Sequence, residues 1–116
     1  MYHDAETGRP LFWLGASRTD LRVFPAEARL EAGRQLRRVQ QGLLPDDWKP
    51  LPGIGAGVRE LRVHTGREHR VIYLARFAEA VYVLHAFEKR TRKTRQADVE
   101  IARMRFRELT RPRPLR

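Results

Sequence analysis

At 116 residues the chain is long enough for one modest hydrophobic core and too short for two. Its 41% hydrophobic and 9% aromatic content suits a folded protein, and the absence of Cys excludes disulfides, thiolate metal sites and a Cys nucleophile. Lys and Arg number 24 against 14 acidic residues, a net charge of +10, and the bias toward Arg favours a two-pronged grip on phosphate, so a polyanion, nucleic acid foremost, is the expected partner.

The leader Met1–Arg9 is polar and reads as loose, ahead of a domain expected over 10–110 and a basic tail over 111–116. Pro10 and Gly15 bound a short apolar run, Leu11–Leu14, which is predicted to be a buried strand. Ser17 or Thr19 is placed to cap a short helix through Phe24. Pro25 suits the start of a second helix, where its missing N–H costs nothing. Over Ala26–Gln41, Ala28, Ala32, Leu36 and Val39 share one helical face, Arg29, Arg34, Arg37 and Arg38 lie largely off it, and Gly42 is predicted to close the helix in a left-handed cap. Gly42–Gly57 holds four Gly and three Pro and reads as a long loop.

The period then changes. Val58–His64, Arg70–Phe77 and Ala80–Phe87 are rich in Val, Ile, Leu, Tyr and Phe, and turns at Thr65-Gly66-Arg67 and Ala78-Glu79 join them into a predicted antiparallel meander. In the first strand Leu61 and Val63 take one face, and Glu60, Arg62 and His64 the other. Glu88–Arg95 is a basic exit segment. A last helix begins near Asp98, carries Ile101, Ala102, Arg105 and Leu109 at helical spacing, and stops before Pro112 and Pro114. The order implies an α+β domain, an antiparallel sheet with an N-terminal helical hairpin and a C-terminal helix. The longest nearly uncharged run, around 80–87, is far short of the ~20 residues a spanning helix needs, and no basic segment followed by an apolar run marks a signal peptide, so a cytoplasmic protein without membrane partners is expected.

Several stretches in this order resemble the HigB-like toxins, a phage-derived branch of the RelE/ParE toxin superfamily. They are Pro10-Leu11-Phe12-Trp13-Leu14-Gly15 with Ser17-Arg18-Thr19-Asp20-Leu21, then Lys49-Pro50-Leu51-Pro52-Gly53, Glu60-Leu61-Arg62-Val63 and His69-Arg70-Val71-Ile72-Tyr73. Val81–Phe87 with Lys89, Lys93 and Thr94 completes the set. The resemblance implies a RelE-like small domain, cleavage of mRNA in the ribosomal A site without metal or cofactor, and a cognate helix-turn-helix antitoxin (HigA-like).

Metal-free RNA cleavage uses the substrate's 2′-hydroxyl as nucleophile, and the protein must orient it, move protons and stabilise charge building on phosphorus. Arg62, Arg70 and Lys89 are the candidate phosphate groups, Arg70 because it also matches the family position at the scissile phosphate. His85 is the acid/base candidate by residue type. Lys49, Phe87, Arg90 and Lys93 are candidate RNA contacts, Phe87 by stacking on a base; Trp48 offers the same chemistry. The chain has no Tyr after Tyr82, where several RelE-type toxins carry one, which leaves the proton-moving groups open among His85, His64, His69 and Glu60. Gly53, Gly55 and Gly57 do not sit between a strand and a helix as a dinucleotide loop requires, and no His/Asp/Glu spacing suggests a metal site. A non-catalytic nucleic-acid-binding module and a ParE-like gyrase poison are the competing functions.

Overall fold

The computed structural model of the protein describes residues 8–92 and 96–112. The elements within them are β1 (Leu11–Trp13), α1 (Ser17–Arg22), α2 (Ala26–Gln40), β2 (Trp48–Pro50), β3 (Val58–His64), β4 (Glu68–Leu74), β5 (Val81–Lys89) and α3 (Gln96–Thr110). The strands make one sheet in the order β1-β5-β4-β3-β2. It is antiparallel except for β1, which runs parallel to β5. The fold is thus the α+β arrangement expected, with the helical hairpin and the last helix in place.

The helices cover both faces of the sheet. Ala28, Ala32, Leu36 and Val39 of α2, with Leu21 and Phe24, pack on Leu61, Val63, Val71, Tyr73, Val81 and Val83. On the other face, Ala102, Val99, Phe106 and Leu109 of α3 pack with Val58, Ile72, Leu74 and Leu84. Gly42 ends α2 at φ 86°, with Gly42 N–H donating to Val39 O and Leu43 N–H to Arg38 O, the bonding of a Schellman cap.

Five local expectations change. The buried strand expected at Leu11–Leu14 is an edge strand over Leu11–Trp13, with Phe12 51% exposed. Ser17 is not a cap: it is buried as the first residue of α1 and its hydroxyl donates to Val83 O at 3.2 Å. The segment read as one long loop contains β2, which pairs with β3 from Trp48↔Leu61 to Pro50↔Arg59. The strand expected over Arg70–Phe77 begins at Glu68 and stops at Leu74; just beyond its end Arg9 Nη1 donates to the Ala75 and Phe77 carbonyls at 2.6 and 2.9 Å. Finally β5 runs on to Lys89, so Glu88 and Lys89 belong to the sheet and not to a loose exit.

Candidate nucleic-acid interface

The face of the sheet that α3 covers only in part carries most of the residues singled out in the sequence. Directly opposed residues of neighbouring strands share a face, and the register sets Lys49 opposite Glu60, Arg62 opposite Arg70, Arg70 opposite Phe87, and Glu68 opposite both His64 and Lys89. Lys49, Arg62, Arg70, Phe87 and Lys89 therefore converge on one surface. They do so because β5 changes phase. Between Ile72↔His85 and Tyr73↔Val83 the register slips, so Leu84 is an extra residue of the kind that forms a β-bulge. Val81 and Val83 stay under α2, whereas His85, Phe87 and Lys89 turn to the face of Arg70. Arg105 Nη1 donates to the bulged Leu84 carbonyl at 2.8 Å.

Arg70 forms the floor. It lies in the central strand, 5% exposed. Its Nη1 donates to Glu68 Oε1 at 3.0 Å and to the His69 carbonyl at 3.1 Å. Its Nε stands 3.7 Å from Glu60 Oε1, without a hydrogen bond. Glu60 is fully buried and also pairs with Arg62 at 3.3 Å. Two guanidiniums thus share one buried carboxylate. Lys89, beside them, has its pKa lowered, first by burial and then by the charges of Arg70, Lys49 and Arg62, which outweigh the opposing pull of Glu60. Like charge is thus crowded at its ammonium, an arrangement that favours a nearby anion.

At the margin, His64 is exposed and sits between two carboxylates, with Nε2 2.6 Å from Asp47 and Nδ1 2.8 Å from Glu68. These contacts, Glu68 first, raise its pKa. Asp47 belongs to a loop tied back to α2: the Asp46 N–H donates to Gln35 Oε1 at 2.6 Å, and Arg34 pairs with Asp46. That tether fixes both the entry to β2 and the position of Lys49.

The remaining candidates separate. His85 shares the face of Ile72 but lies beneath α3, 5% exposed, with Nε2 2.8 Å from Asp98. Its ring stacks on Phe87 at 5.2 Å. His69, expected near an exposed turn, is 1% exposed and faces Phe24 on the other side of the sheet, and burial lowers its pKa. Trp48 also faces away from Lys49; Arg59 covers its ring at 4.8 Å. Arg90 is exposed beyond the end of β5 and pairs with Glu88 at 3.3 Å. Lys93 lies outside the described residues. Sequence reasoning undervalued Asp98, whose acidic position at a helix start has an ordinary helix-dipole explanation, and Asp47, which carries no motif. Among the described residues no helix is long and apolar enough to cross a membrane.

The family model of the phage-derived Gp49-like proteins (DUF891) matches residues 19–107, from α1 nearly to the end of α3. No curated protein matches the chain. The match takes in the whole cationic face and most of the chain, so the protein belongs to the phage-derived Gp49-like family, a group of RelE/toxin-like proteins of toxin–antitoxin systems.

Proposed function

We propose that the protein is the toxin of a HigB-like pair and acts in the cytoplasm as a ribosome-dependent mRNA endonuclease, neutralised by a helix-turn-helix antitoxin of the HigA type. The observation that carries this reading is Arg70, a guanidinium buried in the central strand and ringed on one face by Arg62, Lys89 and Lys49. A guanidinium buried this deeply beside three other cations is costly to keep for folding alone, even with Glu68 and Glu60 against it, and it suits a site that receives phosphate. In the reaction, the 2′-hydroxyl loses its proton to water and its oxygen forms a bond to phosphorus as the bond from phosphorus to the 5′-oxygen breaks. Arg70 and Arg62 stabilise the charge gathering on the phosphoryl oxygens, and Lys89 completes the cradle. His64 gives a proton to the departing 5′-oxygen. It is an exposed imidazole at the margin of this face, and its raised pKa favours the protonated form a general acid needs. His85, held by Asp98, positions Phe87 rather than reacting.

The test is primer extension on mRNA translated with purified ribosomes. The natural chain is expected to produce cuts in the A-site codon, and Arg70→Ala to abolish them. Arg62→Ala, at a partly exposed position, serves as a second variant should Arg70→Ala lose its fold by circular dichroism. No cuts with the natural chain would remove the enzyme reading. Inhibition of DNA supercoiling in its place would favour the gyrase poison, while RNA binding without cuts would favour the non-catalytic module.

A further inference from the structure

Glu68 is tied to two residues that the proposed reaction uses together. It lies on β4, two positions from Arg70 and on the same face, and the register sets it opposite both His64 of β3 and Lys89 of β5. Its Oε1 accepts from Arg70 Nη1 at 3.0 Å, and its Oε2 lies 2.8 Å from His64 Nδ1. One carboxylate therefore joins the phosphate floor to the proton donor. The other carboxylate at Arg70, that of Glu60, is fully buried, is shared with Arg62 and stands 3.7 Å away. The Glu68 side chain is 42% exposed.

Arg70 has little surface of its own, so it takes a phosphate most readily where a present contact gives way. Displacing Glu60 would strand a carboxylate in the interior, which is costly. Glu68 can leave Arg70 and stay in water. A partly exposed ion pair holds by little, and a phosphodiester offers the guanidinium the same charge and the same kind of acceptor oxygens. We propose that Glu68 is a positioning residue exchanged by the substrate. An incoming RNA phosphate takes its place on Arg70 Nη1, and the carboxylate, released from the guanidinium, is left to orient the His64 ring. No covalent bond changes in this step; one acceptor replaces another. The phosphate arrives as an anion and Glu68 no longer shares its charge with Arg70, so both changes favour the protonated imidazole. The other charged groups that share a cleft with His64 are Asp46 and Asp47 before β2, Arg62 on its own strand, and Glu27, Glu31 and Arg34 of α2. Asp47 already holds His64 Nε2, and Arg34 is engaged by Glu31 and Asp46. The role given to His64 rests on the endonuclease reading, whereas the exchange at Arg70 needs only a bound phosphate.

The test uses the full chain and a short single-stranded RNA whose 2′-hydroxyls are methylated, so that it binds without being cut. Glu68→Gln is expected to bind this RNA about fivefold more tightly, the worth of one partly exposed ion pair that no longer has to break. Asp47→Asn removes the same charge from the other side of His64. It is expected to gain less, because the Asp47 carboxylate is held by His64 and not by Arg70. In the cutting assay with ribosomes, Glu68→Gln is expected to be about tenfold slower or more, through lost orientation of the imidazole. Affinity and rate then move in opposite directions, which a merely structural role would not produce. In the natural chain the side-chain carboxyl ¹³C resonance of Glu68 is expected to shift as the RNA binds, a second measure should Glu68→Gln fail to fold. The exchange is overturned by a Glu68 signal that stays in place, or by a folded Glu68→Gln chain that gains no more affinity than Asp47→Asn. Equal cutting by Glu68→Gln and the natural chain would overturn the positioning of His64. If the natural chain never cuts mRNA while the binding results hold, the endonuclease reading falls and the exchange at Arg70 stands.

Discussion

Glu60 shows what a single residue contributes here. Its carboxylate is wholly buried between Arg62, partly exposed, and Arg70, almost fully buried. Removing one partner of a buried ion pair leaves the other charge in a poor solvent, which costs about 3–5 kcal/mol. Glu60→Gln is therefore expected to lose about 3 kcal/mol in urea unfolding, because Arg70 cannot reach water as Arg62 can. A variant as stable as the natural chain would show that Glu68 alone compensates Arg70. His64 gives a pH-dependent counterpart. Its pKa is raised from an ordinary 6.5 in the folded chain, with Glu68 as the largest cause. Its contribution is then fully present below pH 6.5 and is lost as pH rises through the higher folded value. Glu68 works in the opposite sense: its pKa is lowered from 4.5, chiefly by His64, so its contribution is present above 4.5 and lost as pH falls through the lowered value. The melting temperature of the natural chain is expected to exceed that of His64→Gln near pH 6, with the gap closing as pH rises through the raised His64 pKa. High salt should shrink the gap, since these groups are about half exposed. A gap independent of pH would mean that the contact is not ionic.

Among the elements, α3 docks on the sheet through a buried polar pair. Asp98 and His85 are both nearly buried and join at 2.8 Å. Asp98→Ala would leave both imidazole nitrogens of His85 unpartnered, a cost of about 1–3 kcal/mol. Faster hydrogen exchange is expected in α3 and in the end of β5 that carries His85 and Phe87, with α2 unaffected. Uniform acceleration would place the damage in the whole core instead. The ease with which each element could be read from the sequence follows its local chemistry. The alternation of β3 placed Glu60, Arg62 and His64 on one face, and the apolar stripe and Gly42 defined α2, because in both cases the signal lies within one element. β2 escaped notice because it is three residues long and sits among Pro and Gly; its pairing with β3 is a tertiary contact. β5 misleads more deeply. Strict alternation would group Val81, Val83, His85 and Phe87, and only the slip at Leu84 turns the last two toward Arg70. A bulge depends on the partner strand, and no residue in β5 announces it. His69 is hidden for a similar reason, since Phe24, 45 positions away in the chain, covers it.

Across the whole molecule, a charge of +10 gives attraction to RNA anywhere on the surface, so affinity alone cannot identify the binding face. Geometry divides the cations into groups with different expected behaviour. Lys49, Arg62, Arg70 and Lys89 share one face of the sheet. Arg34 and Arg38 are engaged with Asp46 and hold the loop before β2. Arg29 and Arg37 are exposed on α2, which packs against the opposite face. If RNA lies on the first group, each phosphate neutralised there releases counterions and adds about −0.7 to the slope of log K against log salt, about −3 in all. Arg62→Gln should then make the slope shallower by about 0.7. The double change Arg29→Gln, Arg37→Gln lowers the net charge twice as much, yet is expected to leave the slope where it was. Fluorescence anisotropy with a short single-stranded RNA over a range of salt measures both. Equal flattening per charge removed, wherever the charge lies, would mean that the protein holds RNA by its overall field. A response confined to Arg62 would place the strand against Arg70, where the buried guanidinium can meet a phosphate.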